Sequence, residues 1–196
     1  MRPVPLTTLA HELLRQHLQP GDFAIDATVG NGHDMEFLAR TVGPSGFVWA
    51  FDIQEQAIAA SEYRRSQAGL TWVQLHQVSH SQMNAVIPEK YHGKLAAVML
   101  NLGYLPGGDK SITTTATETI AALEQALMLL SATGLLTVML YPGHPAGAAE
   151  TEAVREWAQR LPAFFEVKTQ QYAERGPLSA ILMTIHKRPE STLETP

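Results

Sequence analysis

Two glycines and three acidic residues near the start of the chain have the types and spacing of a nucleotide-binding site. The run from Asp26 to Asp34 reads Asp-Ala-Thr-Val-Gly-Asn-Gly-His-Asp, and another carboxylate, Asp52, stands twenty positions after Gly32. Glycines in such a turn let a ligand approach the backbone, and the amides that open the following helix face that ligand. A carboxylate at the end of the next strand can accept hydrogen bonds from the hydroxyls of a ribose.

The glycine pattern differs from that of a pyrophosphate-binding turn. In a dinucleotide site a third glycine would fall near Met35, and the sequence has none there. Asp26, at the predicted end of the first strand, is instead typical of S-adenosylmethionine sites, although its carboxylate could also cap the turn by accepting from backbone amides. The residues predicted to contact this cofactor are Asp26, Thr28, Gly30, Asn31, Gly32, His33, Asp34, Asp52, Ile53, Gln54, His80, Asn101 and Gly103.

A second polar run lies farther along the chain, after an apolar segment. It reads Asn-Leu-Gly-Tyr-Leu-Pro-Gly-Gly-Asp-Lys from Asn101 to Lys110. Because ligands of open α/β sheets bind beyond the carboxyl ends of the strands, Asn101 is predicted to stand near the reacting centre. The alternative is a long structural turn in which Tyr104 packs as an aromatic side chain and Asp109 caps the backbone.

Histidines provide a third group of candidates. His144 lies in Tyr-Pro-Gly-His-Pro at 141–145, at the end of another predicted strand, and could contact substrate or move a proton. An isolated loop histidine has a structural role about as often. His76 and His80 are four positions apart, but a strand end that runs into a loop does not place them on one face, so no metal site is predicted. The predicted catalytic residues are Asn101, Tyr104, Asp109 and His144.

Alternating short apolar runs and helical patterns predict the elements that position these residues. The predicted strands are residues 23–27, 47–53, 71–76, 95–102, 135–141, 164–172 and 178–186. The predicted helices are residues 34–41, 54–67, 81–87, 115–130 and 148–160. Ahead of them, Thr7 or Thr8 is expected to cap a helix that runs to about Leu18.

This order of elements predicts a parallel sheet with helices on both faces, since strands covered on both sides read as continuous apolar runs. The last two strands are joined only by the turn at 173–177, so they should form a hairpin with one antiparallel strand. Five parallel strands followed by such a hairpin are typical of the Rossmann-like class I S-adenosylmethionine-dependent methyltransferases, with seven mostly parallel strands. We expect one domain over residues 1–188, with an N-terminal helical segment at 1–20 and a polar tail at 189–196.

The composition excludes several classes of protein. The chain has 196 residues, 45% of them hydrophobic, which is enough for one domain with a full core. It has no cysteine, which rules out a disulfide scaffold, a zinc ribbon and a cysteine nucleophile. The net charge of −5 argues against a strongly basic nucleic-acid-binding protein. No signal peptide or membrane-spanning run is seen in the sequence, so we expect a cytoplasmic location.

The sequence resembles a known family in the order and spacing of four blocks. These are residues 26–34, Phe51-Asp52-Ile53, the distinctive run 101–110 and residues 141–145. They are similar to the rRNA methylase family of YtqB-like proteins, whose characterised members are the MnmM-type tRNA methyltransferases, and the resemblance extends from about residue 5 to residue 188. The chain departs from the family at 173–177, where members carry an asparagine-containing stretch, and at Pro142, where they commonly carry histidine.

This resemblance implies an S-adenosylmethionine-dependent N-methyltransferase. It implies methylation of the aminomethyl group of 5-aminomethyl-2-thiouridine at the wobble position of tRNA, and a homodimer. The run at 101–104 also resembles the Asn-Pro-Pro-Tyr signature of amino-group methyltransferases, with Leu102 and Gly103 in place of the prolines. By that resemblance Asn101 would orient the target nitrogen and Tyr104 would form a wall for the acceptor.

RNA binding is the part of this interpretation with the least support in the residues themselves. Phosphate contact requires clustered lysines and arginines, but the 14 basic residues are scattered along the chain. The adjacent arginines at 64–65 could contact RNA, or they could simply belong to an exposed, charged face of a helix. The candidates for RNA contact are Lys110, Arg64, Arg65, Lys168 and Arg175.

Three other kinds of function are compatible with parts of the pattern. A methyltransferase acting on a small molecule, on protein or on rRNA would share the cofactor residues, and the acidic net charge favours a small-molecule or protein substrate. An NAD-dependent oxidoreductase is opposed by the missing third glycine and by the terminal hairpin. A catalytically silent RNA-binding module is opposed by the complete set of Asp26, Gly30, Gly32, Asp52 and Asn101.

Overall fold

The structure is a computed structural model that describes residues 3–109 and 111–188. In these ranges seven strands form one sheet: β1 Phe23–Asp26, β2 Phe47–Phe51, β3 Val73–His76, β4 Leu95–Asn101, β5 Leu130–Leu140, β6 Phe165–Gln171 and β7 Ile181–Lys187. The helices are α1 Leu6–His17, α2 His33–Val42, α3 Glu55–Gln67, α4 Met83–Val86, α5 Ala116–Leu129 and α6 Pro145–Gln159. Short 3-10 turns lie at His80–Gln82, Glu89–Tyr91 and Ala173–Arg175.

The sheet has the strand order β3-β2-β1-β4-β5-β7-β6. Strands β1 to β5 pair in parallel, while β7 pairs antiparallel with both β5 and β6. The prediction of a mostly parallel seven-stranded sheet that ends in an antiparallel hairpin is therefore confirmed. Because the chain proceeds from β1 outward to β3 and then returns to β4, the carboxyl ends of β1 and β4 flank the point where strand order reverses.

Alternation along the strands sends side chains into two separate cores, one on each face of the sheet. Ile25 of β1 and Trp49 of β2 belong to the core that includes buried side chains of α4, α5 and α6. Their neighbours Ala24 and Val48 belong to the other core, which includes buried side chains of α1 and α2. Both faces of the strands that carry the predicted site are therefore covered, and the site is confined to the edge where the strands end.

Helix α1 differs from the prediction at its start. It begins at Leu6, with Pro5 as the preceding residue and no side-chain cap, so the expected cap by Thr7 or Thr8 is wrong. The Pro5 carbonyl already accepts the first helical bond, from the Leu9 amide at 3.0 Å. Both threonines consequently lie inside the first turn, and no side chain caps this helix start among the described residues.

Most other boundaries agree with the prediction within two residues, and four elements differ more. The helix expected at 81–87 is divided into a 3-10 turn and α4, since the Ser79 side chain accepts from the Ser81 amide and begins the turn earlier. Helix α6 begins at Pro145, before the expected residue 148, because the His144 side chain caps it. Strand β5 begins at residue 130, directly after α5, and β7 begins only at residue 181.

Two further predictions concern membrane-spanning segments and the C-terminal tail. No helix within them is long and apolar enough to cross a membrane. The polar tail predicted at 189–196 lies outside the described residues.

Helix α1 is docked through Leu14, which is fully buried in the core shared with α2. Leu14→Ala should lower the free energy of unfolding by about 2–5 kcal/mol, because a cavity opens in a close-packed core. Urea unfolding followed by circular dichroism measures the loss. The control is Gln16→Ala at an exposed position of the same helix, which should change stability by less than about 0.5 kcal/mol. Equal effects of the two substitutions would mean that α1 is not part of the core.

Candidate active site

The turn between β1 and α2 has the backbone conformation for which glycine is suited. Gly30 (φ +48°) and Gly32 (φ +76°) both adopt left-handed conformations, in which other residues are strained. Gly32 also lies against α3, where an added Cβ atom would come within 2.9 Å of Ser61 Oγ. The Ser61 hydroxyl donates to the Gly30 carbonyl at 2.9 Å and holds the turn on α3. No side chain among the described residues caps α2, so the amides at its start can face a ligand.

Asp52 faces this turn from the end of β2. Its Oδ2 atom accepts a hydrogen bond from the Gly30 amide at 3.0 Å, and its Oδ1 atom accepts one from the Gln54 amide at 3.0 Å. Each carboxylate oxygen has a second lone pair, so the side chain can still accept from two hydroxyl groups. This is the arrangement that the ribose hypothesis requires, and the role of Asp52 in binding stays a prediction.

Asp26 is completely buried at the end of β1. Its Oδ1 atom accepts from the Thr28 amide at 3.2 Å, and the Met35 amide of α2 also faces the carboxyl group, although too far from ideal geometry to count as a full hydrogen bond to Oδ2. Burial raises the pKa of Asp26 well above its ordinary value, and the nearby carboxylates of Asp34 and Asp52 raise it further. Asp26 thus caps the turn, as the structural alternative expects, and its raised pKa favours a neutral acid at this position.

Asn101 ends β4 directly beside the turn. Its backbone amide donates to Thr28 Oγ1 at 2.7 Å, which ties the end of β4 to the segment after β1. Its side-chain Nδ2 donates to Asp34 Oδ2, whereas its Oδ1 is buried without a partner among the described residues. A buried oxygen of this kind costs free energy unless a ligand donates to it. The side chain is therefore held with an acceptor atom that no described residue uses.

Two residues that sequence reasoning missed complete the surroundings of Asp34. His11 on α1 brings its Nε2 atom to 2.6 Å from Asp34 Oδ1. Partial burial raises the pKa of Tyr141, just after β5, and the Asp34 carboxylate raises it further, which indicates that the two groups are close. A lone histidine on an amphipathic helix, 23 positions before its partner, has no local sequence signal. Tyr141 stands at a strand end like the other candidates and could have been found on that ground.

The polar run after β4 folds back over the glycine turn. Leu105 is buried, and its Cδ1 atom would lie 3.4 Å from a Cβ atom added to Gly30. Tyr104 is 41% exposed, and its ring centroid lies 5.8 Å from that of His144. The run therefore covers the turn from outside and brings two of the predicted catalytic residues together at its rim.

A buried carboxylate on α6 anchors the end of this loop. Glu150, only 2% exposed, accepts hydrogen bonds from Thr114 Oγ1 at 2.9 Å and from Thr119 Oγ1 at 2.6 Å. The Thr114 hydroxyl oxygen in turn accepts from the Gly103 amide at 2.7 Å. Gly103, a predicted cofactor contact, is therefore fixed by a chain of hydrogen bonds that reaches α6. Sequence reasoning missed Glu150 because its partners lie 36 and 31 positions away.

His144 and Asp109, both predicted to be catalytic, make structural contacts. The Nδ1 atom of His144 accepts a hydrogen bond from the Gly147 amide at 3.1 Å, which makes His144 the cap of α6. Asp109 is exposed, and hydrogen bonds from the amide and the hydroxyl of Ser111 lower its pKa. A carboxylate with a lowered pKa is a weaker base. The catalytic roles stay predictions, and these contacts count against proton acceptance by either side chain.

Three further cofactor candidates lie around the same edge of the sheet. His80 is buried in the 3-10 turn after β3, and burial lowers its pKa, which favours a neutral imidazole. Ile53 is exposed just after β2, beside Gln54. His33 lies at the start of α2, with its Nε2 atom 3.3 Å from Arg64 Nη2. Their contacts with a ligand stay predictions.

The two arginines of α3 that were predicted to contact RNA have acidic partners. Arg64 lies 2.9 Å from Glu36 and donates to the Asn31 carbonyl at 2.9 Å, so it braces the glycine turn. Arg65 pairs with Glu62 on its own helix at 2.7 Å. Each arginine thus makes a contact within the fold, and RNA binding by either residue stays a prediction.

The other candidates for RNA contact lie elsewhere. Lys168, on β6, pairs with Glu166 of the same strand at 2.9 Å. Arg175 follows β6, and its guanidinium lies 5.5 Å from the ring centroid of Tyr172. Lys110 lies outside the described residues. The structure therefore does not gather the predicted basic residues into one patch within the part of the chain that it describes.

The acidic and histidine side chains do not form a metal site in the described ranges. Among residues 3–109 and 111–188, no group of three or more such side chains is placed to hold a metal ion. The three aspartates of the crevice are instead engaged by backbone amides and by neighbouring side chains.

Comparison with known proteins identifies the family. A family model described as "Putative rRNA methylase" matches residues 48–186. The chain belongs to this family. The resemblance drawn from the four sequence blocks is thereby confirmed, and so is the methyltransferase reaction class.

Individual relatives cover nearly the whole chain. The chain is 36% identical over 191 residues to the chloroplastic tRNA (mnm(5)s(2)U34)-methyltransferase of Arabidopsis thaliana. The alignment covers 93% of this chain and 69% of the relative. A crystal structure of a putative rRNA-methylase from Clostridium thermocellum shares 35% identity at a TM-score of 0.90, covering 95% of this chain and 100% of the other. A putative methyltransferase from Streptococcus mutans, in complex with SAH, shares 32% identity at a TM-score of 0.83, covering 95% and 99%.

The buried acid at the end of β1 makes stability depend on pH. An acid whose pKa is raised on folding binds its proton more tightly in the native state, so stability falls as pH rises from the unfolded pKa toward the folded one. Asp26→Asn removes this loss. At pH values above about 4, the difference in free energy of unfolding between the variant and wild type should increase by up to about 1.4 kcal/mol per pH unit. Urea unfolding at a series of pH values measures the trend.

Asp109→Asn is the control for this trend, because the pKa of Asp109 is shifted in the opposite direction. Its contribution to stability is lost only as pH falls below the ordinary aspartate pKa of about 3.9. Above that value the difference between Asp109→Asn and wild type should stay constant. If the difference between Asp26→Asn and wild type were also constant with pH, the pKa of the Asp26 carboxyl group would not be raised by folding.

Proposed function

We propose that the protein transfers a methyl group from S-adenosylmethionine to the aminomethyl nitrogen of 5-aminomethyl-(2-thio)uridine at the wobble position of tRNA. The observation that carries this proposal is the unpartnered Oδ1 atom of Asn101, which lies beside the glycine turn and can accept a hydrogen bond from an amino group. The Arabidopsis relative supports the substrate, since its name specifies a modified uridine at position 34 of tRNA.

The residues of the crevice fit S-adenosylmethionine. The Asp52 carboxylate keeps lone pairs for the ribose hydroxyls, and the glycine turn presents backbone where side chains would obstruct a ligand. His80 offers a buried, neutral imidazole for the adenine. When bound, the cofactor supplies an electrophilic methyl group on a positively charged sulfur, and the nearby Asp34 carboxylate favours positive charge. The SAH complex of the Streptococcus mutans protein supports the same class of ligand.

The chain's own contribution to the reaction is orientation. Asn101 Oδ1 accepts a hydrogen bond from the amino nitrogen, which directs the nitrogen lone pair toward the methyl group. Orientation matters because the reacting atoms of a displacement have to lie about 3–3.5 Å apart and in line. Tyr104, at the rim of the crevice, forms a wall for the base that carries the amine.

The amine has to lose a proton in addition to gaining a methyl group. A free alkylamine has a pKa of about 10 and is mostly protonated at neutral pH. Burial beside a second cation lowers that pKa and favours the neutral, reactive form. Because the Nδ1 atom of His144 is engaged as a helix cap and the pKa of Asp109 is lowered, solvent is the acceptor that we propose for the proton.

The proposal includes a homodimer bound to RNA. Three of the four described candidates for RNA contact pair with glutamates, so the candidates of one chain offer few unpaired positive charges for phosphate contact. Two chains would bring two sets of these residues to one RNA. Sedimentation at several protein concentrations tests the dimer, and a single species of monomer mass would exclude it.

The substrate is tested with purified protein, S-adenosylmethionine and tRNA that carries the aminomethyl group. Mass spectrometry of the nucleosides should show conversion of the aminomethyl form to the methylaminomethyl form. The controls are the same tRNA with plain uridine at the wobble position and an rRNA transcript, neither of which should gain a methyl group. Methylation of the rRNA in preference to the tRNA would replace the proposed substrate by the one that the family description names.

Asn101→Ala tests the orienting role. Its kcat should fall by about a hundredfold or more, because the amino nitrogen loses the acceptor that aligns it. Affinity for S-adenosylhomocysteine, measured by calorimetric titration, should stay close to that of wild type. Asn84→Ala on α4 is the matched control and should keep the wild-type kcat. Near-normal turnover in Asn101→Ala would show that the side chain does not orient the acceptor.

A further inference from the structure

His11 has no part in the function proposed above, yet it reaches the crevice from the N-terminal helix. Its Nε2 atom lies 2.6 Å from Asp34 Oδ1, and Asp34 Oδ2 accepts the hydrogen bond from Asn101 Nδ2. We infer that His11 is a positioning residue for methyl transfer, which fixes the Asn101 side chain through the Asp34 carboxylate. The inference rests on the proposed function, because it concerns the task of Asn101 in that reaction.

A carboxylate selects one orientation of a side-chain amide. The amide of Asn101 has a donor end and an acceptor end of nearly the same shape, so packing alone does not distinguish its two flipped forms. Asp34 offers only acceptor atoms when ionised, so only the form with Nδ2 toward Asp34 makes a hydrogen bond. The flipped form would place two oxygens against each other and would turn Oδ1 away from the incoming amine.

His11 in turn fixes Asp34. The two carboxylate oxygens bind donors on different elements, one on β4 and one on α1, so the carboxylate cannot rotate without losing a contact. The His11 ring is stacked on Phe37, with centroids 3.9 Å apart and planes inclined by 5°, so it is held by its face as well as its edge. The side chains of His11 and Asp34 are only 25% and 15% exposed, which limits competition by water.

The helix that carries His11 is itself held in place. Ala10 and Leu14 are fully buried in the core that α1 shares with α2. His17, six positions after His11, donates to the Ala96 carbonyl on β4 at 3.0 Å. Because α1 is anchored on both sides of His11, the contact with Asp34 is imposed by packing and does not depend on a freely moving side chain.

The Asp34 carboxylate acts on two other titratable groups of the crevice. Burial and then the Asp34 carboxylate raise the pKa of Asp26, and the same two causes raise the pKa of Tyr141. Both neighbours are thereby favoured in their neutral forms.

Two substitutions separate the hydrogen bond of His11 from its packing. His11→Phe keeps an aromatic ring on Phe37 and removes the bond to Asp34, whereas His11→Gln keeps a side-chain N–H donor. On tRNA that carries the aminomethyl group, His11→Phe should lower kcat by about tenfold to a hundredfold with KM unchanged. His11→Gln should recover most of the wild-type kcat. Gln16→Ala, at an exposed position of the same helix and outside the crevice, is the control and should keep the wild-type kcat.

A second measurement needs no tRNA. Sinefungin, an analogue with an amino group in place of the sulfonium methyl, can donate to Asn101 Oδ1, whereas S-adenosylhomocysteine has no donor at that position. In calorimetric titrations, wild type should bind sinefungin more tightly than S-adenosylhomocysteine. His11→Phe should lose most of this preference, as Asn101→Ala should. Thermal unfolding of each variant near the wild-type temperature verifies that the fold is retained.

The outcomes distinguish this inference from the proposed function. Wild-type kcat together with wild-type preference for sinefungin in His11→Phe would overturn the inference and leave the methyltransferase assignment intact. Equal losses in His11→Phe and His11→Gln would also overturn it, because the hydrogen bond would then not be the cause. If wild type methylates no tRNA, the proposed substrate is wrong, and the two titrations then decide the role of His11.

Discussion

The hydrogen bonds of Asn101 join the parts on which the crevice depends. Its backbone amide ties β4 to Thr28, just after β1, and its side chain ties β4 to Asp34 on α2. Strand order reverses between β1 and β4, so two segments that leave this point in opposite directions have to be held together there. The glycine turn provides room for a ligand, and Asn101 provides the link. Because the bond to Thr28 comes from the backbone, a substitution of Asn101 removes only the bond to Asp34 and keeps the link between β4 and the segment after β1.

Three carboxylates share the crevice, and their surroundings give each a different task. Asp26 is fully buried with a raised pKa, and a neutral acid tolerates burial at lower cost than a charged one. Asp52 is satisfied by two backbone amides, which hold it at the end of β2. Asp34 is bound by side chains of β4 and α1. Because one of the three is favoured in its neutral form, the crevice can present negative charge to a cationic ligand without mutual repulsion among all of them.

Local sequence predicts the crevice because its principal residues end strands. Asp26, Asp52 and Asn101 each follow a short apolar run, and a parallel sheet brings the ends of neighbouring strands together whatever their separation along the chain. The same apolar runs and the short turn before the last strand predict the sheet and its terminal hairpin. His11 and Glu150 could not be found in this way, since each reaches the site only through the packing of a whole helix. The start of α1 was misjudged because Pro5, and not a threonine hydroxyl, precedes it, and α6 begins earlier than expected because His144 caps it.

The distribution of charge constrains how an RNA substrate could be recognised. The chain has 14 basic residues against 19 acidic ones, and three of the four described candidates for RNA contact form ion pairs with glutamates. Phosphate neutralisation supplies most non-specific affinity for RNA, so the pairing of these candidates with glutamates would shift the weight of recognition toward the modified base. Tyr104 and Tyr141 are 41% and 38% exposed at the crevice and offer faces on which an unpaired base can stack. In the proposed function, Asn101 would add an acceptor for the amino group of that base. Specificity would then lie in the nucleoside itself, while the rest of the RNA determines how that nucleoside reaches the crevice.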